Sequence, residues 1–257
     1  MIAGLFHEGS GLGDQLFRYI TVRTLAEEKG WDWDMAHPHN FKGNSFMLNL
    51  GVKGDMPMDP VYKVWNEKVV RDENGVDIRS YDPEINFIED WTVIDGSFED
   101  DKYWGHNLKN INEWLKVEPL EVPDNKCLVG FRGGEYYSDP NLGLPIEYFT
   151  EAMTHFPGFE YEVHTDDPKL AKNMLGLPTI ENNQLSHSRH SNMGFNWRSM
   201  RYAKHAIIPN SAFFILPRLL KHHEDPEAVT IAPRYWARRN TKTWARPSCY
   251  YRSFQYV

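Results

Sequence analysis

The chain has 257 residues, 41% of them hydrophobic and 25% charged, and its 28 basic against 36 acidic side chains leave a net charge of −8. That length admits one large domain or two small ones, the composition is ordinary for a globular protein, and the negative charge argues against a nucleic-acid partner, whose phosphate backbone needs a cationic surface. The two cysteines, Cys127 and Cys249, build neither a disulfide framework nor a Cys-based zinc site, and no run approaches the ~20 apolar residues that span a membrane, so a reducing, cytoplasmic setting is expected.

Residues 2–6 form the first apolar run, followed by Gly9-Ser10-Gly11-Leu12-Gly13 and then by a helical pattern with Leu16, Phe17, Ile20, Leu25 and Ala26 on one side, stopping near Gly30. Asp14 sits where an N-cap or first-turn acid belongs. Strand, glycine loop and helix make one βα unit, and residues 31–35 start the next strand. Backbone N–H groups opening a helix attract an anion through the helix dipole. A tight structural turn is the alternative, because neither a P-loop lysine nor a full dinucleotide fingerprint follows.

Asp32-Trp33-Asp34 sets two carboxylates on one side of a strand, an arrangement able to hold Mg²⁺ or Mn²⁺. Acidic pairs at strand edges are common without a metal. His37-Pro38-His39 and the pair His187 and His190 lack the helical setting and carboxylate partner of a metal site. No metal site is expected.

Residues 36–118 are irregular, with turn signals at Pro38, Gly43, Gly51, Gly54, Pro57, Pro60, Asn74-Gly75 and Pro83. A strand end is expected at 93–96 and a helix over 102–116, and Pro119 and Pro123 set a domain boundary in 117–125. From Lys126 the rhythm is clearer: a strand over 127–132, a loop over 133–144, and a helix over 145–155 opened by Pro145. A strand over 161–165 and a helix over 168–175 closed by Gly176 follow, then a helix over 197–203, a strand over 205–208, a helix capped by Ser211 and running to His222, and a strand over 229–232. Such alternation predicts a parallel sheet covered on both faces, with ligands bound at the carboxyl ends of its strands. Residues 9–14, 132–136, 165–167 and 210–211 all fall at that edge.

Within it, Arg132 ends an apolar strand and is followed by Gly133-Gly134, placing a permanent cation beside bare backbone. Guanidinium forks match phosphate oxygens, and glycines let a ligand approach the main chain. A glycine turn with a surface arginine is the alternative. The tail carries Arg234, Arg238, Arg239, Lys242, Arg246 and Arg252 among Tyr235, Trp236, Trp244 and Tyr250. Such interleaving can bind nucleic acid or an anionic saccharide, but packing of the tail across the other domain is preferred.

Taken together, these segments resemble glycosyltransferase family 11, the alpha-1,2-fucosyltransferases, and the wider GDP-fucose group. The opening motif of that family is matched by Gly9-Ser10-Gly11-Leu12-Gly13-Asp14-Gln15-Leu16-Phe17-Arg18-Tyr19, and its donor motif by Gly130-Phe131-Arg132-Gly133-Gly134-Glu135-Tyr136. Thr165-Asp166-Asp167, Arg198-Ser199-Met200, Lys204-His205-Ala206-Ile207-Ile208 and Asn210-Ser211-Ala212-Phe213 continue the match in order.

The resemblance implies an α/β, GT-B-like fold with two Rossmann-type βαβ domains facing across a cleft. Residues 1–118 would be the acceptor side, 119–233 the donor-nucleotide domain, and 234–257 a tail packed back on the first domain. It implies GDP-fucose as donor, a glycan acceptor, inversion at the anomeric carbon, and no required cofactor or metal. Arg132 would meet the donor phosphates, Asp166 the nucleoside, and Asn210, Ser211 and Ala212 the phosphates at a helix N-terminus, with Gly11, Gly13, Asp14, Gln15, Gly134 and Glu135 completing the donor site. His7 and Glu8, just before the first glycine loop, are candidates for the base, with core or solvent roles as the alternative. Where the family has a histidine, a second arginine and an aspartate, this chain has Gly130, Gly133 and Glu135, and Asp14 replaces an asparagine. These departures leave the base and sugar of the donor open and admit a protein that binds a nucleotide sugar or glycan without turnover.

Overall fold

A computed structural model describes residues 1–47, 50–55, 62–71, 77–139, 141–180, 189–240 and 243–257, without side-chain detail at 77, 180, 189–192, 237–240 and 243–244. Pro57, Pro60, Asn74-Gly75, the His187 and His190 pair, and the tail cations Arg238, Arg239 and Lys242 with Trp244 therefore lie outside the described residues or side chains. The chain divides into two compact units, Met1–Lys116 and Val117–Val257. Both are α/β units built on a parallel sheet, the class expected from the alternating pattern.

The first unit begins with β1 (Ile2–Leu5), α1 (Leu12–Lys29) and β2 (Trp33–Ala36). It continues with β3 (Lys63–Asn66), the small pair β4 (Val70–Arg71) and β5 (Asp77–Ile78), β6 (Thr92–Asp95) and α2 (Leu108–Trp114). Its main sheet runs β2-β1-β6-β3, parallel throughout. Leu16, Phe17 and Ile20 of α1 are fully buried, each such side chain contributing about 1.5–3 kcal/mol. Gly30 closes α1 in the left-handed conformation, with φ 63°, which a residue without Cβ adopts at no steric cost.

Two expectations are revised in this unit. The helix over 102–116 is realised only from Leu108, because short 3₁₀ turns occupy Asp101–Tyr103 and Gly105–Asn107. Between them Trp104 leaves helical geometry (φ −148°), and its buried indole N–H donates to the Phe98 carbonyl at 2.8 Å. The strand β3 has no counterpart in the sequence reading. It lies at the sheet edge with Val64 64% exposed, so it carries no buried-face alternation to read.

The second unit contains β7 (Lys126–Phe131), α3 (Glu135–Ser138), α4 (Ile146–Met153), β8 (Glu160–Thr165), α5 (Pro168–Leu175) and β9 (Thr179–Ile180). Then follow α6 (Arg189–Tyr202), β10 (His205–Ile207), α7 (Ala212–Glu224), β11 (Val229–Ala232), the antiparallel pair β12 (Ala237–Asn240) and β13 (Thr243–Ala245), and β14 (Gln255–Tyr256). The main sheet runs β14-β11-β10-β7-β8-β9 and is parallel throughout. Its core gathers Cys127, Val129 and Phe131 of β7 with Tyr148, Phe149 and Ala152 of α4.

Arg218 of α7 is 0% exposed and fastens α6 to the sheet. Its guanidinium donates to the carbonyls of Met200 (2.8 Å), Ala203 (2.6 Å), Lys204 (3.2 Å) and Val229 (3.3 Å), and to Thr230 Oγ1 (2.9 Å). These include carbonyls left open at the end of a helix. Burial pushes the Arg218 pKa down to about 9, still above neutral pH. β14 pairs with β11 and extends the second sheet, since its backbone N–H and C=O groups find ladder partners there.

Candidate functional site

The strand order brings three of the expected segments together. β10, β7 and β8 are neighbours in the second sheet, so the residues that follow them, Asn210-Ser211, Arg132 and Asp166, share one carboxyl edge. Arg132 is paired there rather than bare. Its NH1 lies 2.7 Å from Asp166 Oδ2 and its NH2 3.0 Å from Glu135 Oε1, while the guanidinium carbon sits 4.8 Å from the centre of the Tyr136 ring. Nε is buried without an acceptor, so the fork is not fully satisfied by the protein.

The backbone after Arg132 is occupied too, which revises the picture of open amides. Gly133 N–H donates to Asp166 Oδ1 at 2.7 Å and Gly134 N–H to Asp167 Oδ2 at 3.4 Å. Asp166 thus binds the turn and the arginine together. Asp167 also caps α5 through Leu170 N–H at 3.0 Å. Arg132 thus meets two carboxylates, those of Glu135 and Asp166, while Asp167 meets the backbone of the turn. Of the two, Glu135 is the more loosely held, with its side chain 74% exposed, as surface ion pairs are.

Packing explains why the turn carries glycines. A Cβ at Gly130 would stand 2.7 Å from both Phe214 and Pro209, and one at Gly133 would stand 2.3 Å from the Asp167 Cβ. Gly134 has φ +43° and ψ −116°, which side-chain-bearing residues rarely adopt. The two departures from the fucosyltransferase-like motif are therefore built into this packing.

Ser211 stands at the N-cap of α7; its hydroxyl makes no capping bond to the first turn, and Phe214 N–H donates to the Ser211 carbonyl at 3.0 Å, while the helix start carries the partial positive charge of its dipole. Asn210 is 2% exposed and donates to the carbonyls of Leu142 (2.9 Å) and Trp236. It acts as a brace between two loops.

The first unit presents a second edge. His7, just beyond β1, places Nε2 2.9 Å from Oδ1 of Asp95, the last residue of β6, and Arg18 of α1 brings Nε within 3.2 Å of the same oxygen. His7 and Asp95 are 39% and 30% exposed at their side chains. Burial raises the Asp14 pKa, an effect partly offset by Arg18 and by the Gly11 N–H. Glu99 is pushed up to about 7 by burial and then by the charges of Asp14 and Glu67. Neither Asp95, Arg18 nor Glu99 was singled out from sequence. The strand end at 93–96 was legible, but nothing in the chain order said that it lies beside residue 7.

Other expected residues of this edge take different roles. Gln15 is 0% exposed, its amide donating to the Asn40 carbonyl (2.8 Å) and accepting from Lys42 N–H (2.9 Å). It braces the loop. Gly13 is buried in the first turn of α1, Gly11 is exposed, and Glu8 is exposed to solvent. Asp34, half of the Asp-x-Asp pair, is 2% exposed. Its Oδ1 accepts from the N–H groups of Met35, Lys53 and Gly54 and its Oδ2 from that of Asp55, so the carboxylate organises a turn.

No family profile and no curated protein matches the sequence. Among solved structures, the chain is similar to the fucosyltransferase NodZ from Bradyrhizobium, at 12% identity and TM-score 0.43, covering 85% of this chain and 91% of that one. It is also similar to the heptosyltransferase WaaC of E. coli with ADP-2-deoxy-2-fluoro heptose, at 11% identity and TM-score 0.48, over 100% and 93% of the two chains. A glycosyl transferase of family 9 from Veillonella parvula gives 13% identity and TM-score 0.41, over 91% and 80%. Among the described residues no helix is long and apolar enough to cross a membrane.

Proposed function

We propose that this chain is a glycosyltransferase that takes a sugar from a nucleotide sugar, with the second unit holding the donor diphosphate. The observation that carries the reading is Arg132 at the carboxyl edge of a parallel sheet, one strand away from the uncapped N-terminus of α7. As the acceptor hydroxyl attacks the anomeric carbon, negative charge grows on the departing diphosphate. A preorganised cation and helix amides stabilise that charge where it develops, each such donor being worth about 3 kcal/mol. His7 and Glu8 are the candidates for the base that takes the hydroxyl proton.

GDP-fucose as donor, inversion and a glycan acceptor rest on the resemblance of the motifs alone, and no metal is required by this scheme. The second reading is a protein that binds a nucleotide sugar or glycan without turnover. It is favoured by the carboxylates that already occupy Arg132 and by Gly130 and Gly133, which remove two polar side chains from the motif.

A thermal-shift screen of GDP, GDP-fucose, GDP-mannose and UDP-sugars, with and without EDTA, separates these outcomes, because a ligand of the native state raises the melting point with its concentration over Kd. Stabilisation by GDP-sugars that survives EDTA is expected. A response to UDP-sugars alone overturns the guanine donor, and one abolished by EDTA overturns the metal-free scheme. Binding without release of nucleoside diphosphate in the presence of acceptor glycans selects the second reading.

A further inference from the structure

We infer that the second unit carries a sugar-binding cavity of its own, built where α4 meets the segment after β11 and shaped for one neutral pyranose ring. The cavity measures about 320 Å³ and is lined on its apolar side by Leu144, Pro145, Tyr148, Pro233, Tyr235 and Val257. That volume lies at the lower end of the range for small-ligand sites, roughly 300–1,000 Å³, so it suits a single ring. The site lies wholly within the second unit and shares no lining residue with the Arg132 turn.

Its walls are fixed by bonds within the protein. Tyr148 is 6% exposed, and its hydroxyl meets the carbonyls of Ile208, just beyond β10, at 2.5 Å and of Ile231 in β11 at 3.4 Å. Asn210 donates to the carbonyls of Leu142 and Trp236, so one amide ties the two loops that supply Leu144-Pro145 and Arg234-Tyr235. The Tyr250 hydroxyl donates to the Arg234 carbonyl at 2.7 Å, and Arg234 N–H donates to the Val257 carbonyl at 2.8 Å. A hollow with walls held in this way loses little conformational freedom when a ligand enters.

The lining chemistry selects the ligand. Its apolar side chains meet the C–H face of a ring, and Tyr235, 39% exposed, adds an aromatic surface. The charged lining residues carry both signs: Glu147 and Glu151, exposed one turn apart on α4, and Arg234, exposed after β11. Among the described residues none of these three side chains is in an ion pair, and the two carboxylates repel each other along the helix. A carboxylate only accepts hydrogen bonds and a guanidinium only donates them. A hydroxyl does both, so a ring edged with hydroxyls meets both signs while its apolar face lies against the tyrosine. An acidic sugar would set its charge against two carboxylates and one cation, which favours the neutral class. Arg234 and Tyr235 thus give part of the basic, aromatic tail a role within its own unit.

The test is saturation-transfer NMR of the full chain with the methyl glycosides of glucose, galactose, mannose, fucose and N-acetylglucosamine. Binding of at least one is expected. Tyr235→Ala and the double variant Glu147→Gln, Glu151→Gln should each weaken it about tenfold, with melting points unchanged because these side chains are exposed. Arg132→Ala should leave the affinity within about twofold, as sites without shared residues act independently. The inference is overturned if none of the glycosides binds, if glucuronate binds more tightly than glucose, or if Tyr235→Ala and the double variant bind as the wild type does. Sugar binding lost in Arg132→Ala and kept in Tyr235→Ala places the ligand at the donor edge and overturns it equally. Binding of GDP or UDP does not involve this cavity, so the diphosphate reading and this one fail separately.

Discussion

Arg132 and Arg218 lie in the same unit and have opposite surroundings. Arg218 is 0% exposed, and its partners are four main-chain carbonyls and a threonine hydroxyl. Arg132 keeps 27% of its side chain exposed, and its partners are two carboxylates, one of them 74% exposed. Carbonyls at a helix end cannot leave without unfolding it, whereas a surface carboxylate can swing into water. Arg218 is a fixed part of the fold. Arg132 sits in an ion pair open to solvent.

This contrast is broken most severely at its rigid end. Arg218→Met should leave buried carbonyls at the close of α6 without donors, each costing about 1–3 kcal/mol, and lower the melting point by roughly 10 °C in a calorimetric scan. A loss below about 2 °C would mean that the seam is not held by this side chain. The interior holds a second polar cluster, in which fully buried His164 meets Asn196 and Glu162, and Glu162 meets Lys126 at 2.8 Å. The bond to His164, then that to Lys126, brings the Glu162 pKa down to about 2 from its ordinary 4.5. A carboxylate with a depressed folded-state pKa stabilises the fold above its unfolded pKa and loses that contribution as pH falls through the folded one. Stability should therefore drop between pH 4.5 and about 2, and Glu162→Gln should flatten this limb in chemical denaturation; an identical limb in the variant would remove Glu162 as its source.

The smallest effect belongs to the exchangeable side. Glu135→Gln removes the most exposed competitor for Arg132, so the affinity for a nucleoside diphosphate should rise a few-fold with the melting point unchanged. A weaker affinity would assign Glu135 to the ligand instead.

Much of this architecture was legible from the chain. α5 falls at Pro168–Leu175 with Gly176 beyond it, α1 ends at Gly30, and β11 at Val229–Ala232 matches its apolar run. Those elements carry local signals: a proline at the start, a glycine at the stop, a continuous buried face. β3 and β14 carry none, being short edge strands whose pairing depends on distant partners. The candidate site divides in the same way. Arg132 could be placed at a strand end from apolar run and glycines, but its occupation by Asp166 depends on the adjacency of β7 and β8. Asp95 beside His7 is likewise a contact across 88 residues of chain. Gln15 and Asn210 matched the motif in type, and only their contacts in the folded chain show that they brace loops.

The central claim is that Arg132 anchors a diphosphate, and titration calorimetry of GDP and UDP against the wild type and Arg132→Ala tests it directly. Loss of charge-assisted hydrogen bonds worth about 2–3 kcal/mol should weaken binding ~30–100-fold in the variant, with the fold retained. Equal affinity of the two proteins for whichever diphosphate binds, or binding by neither, would contradict it.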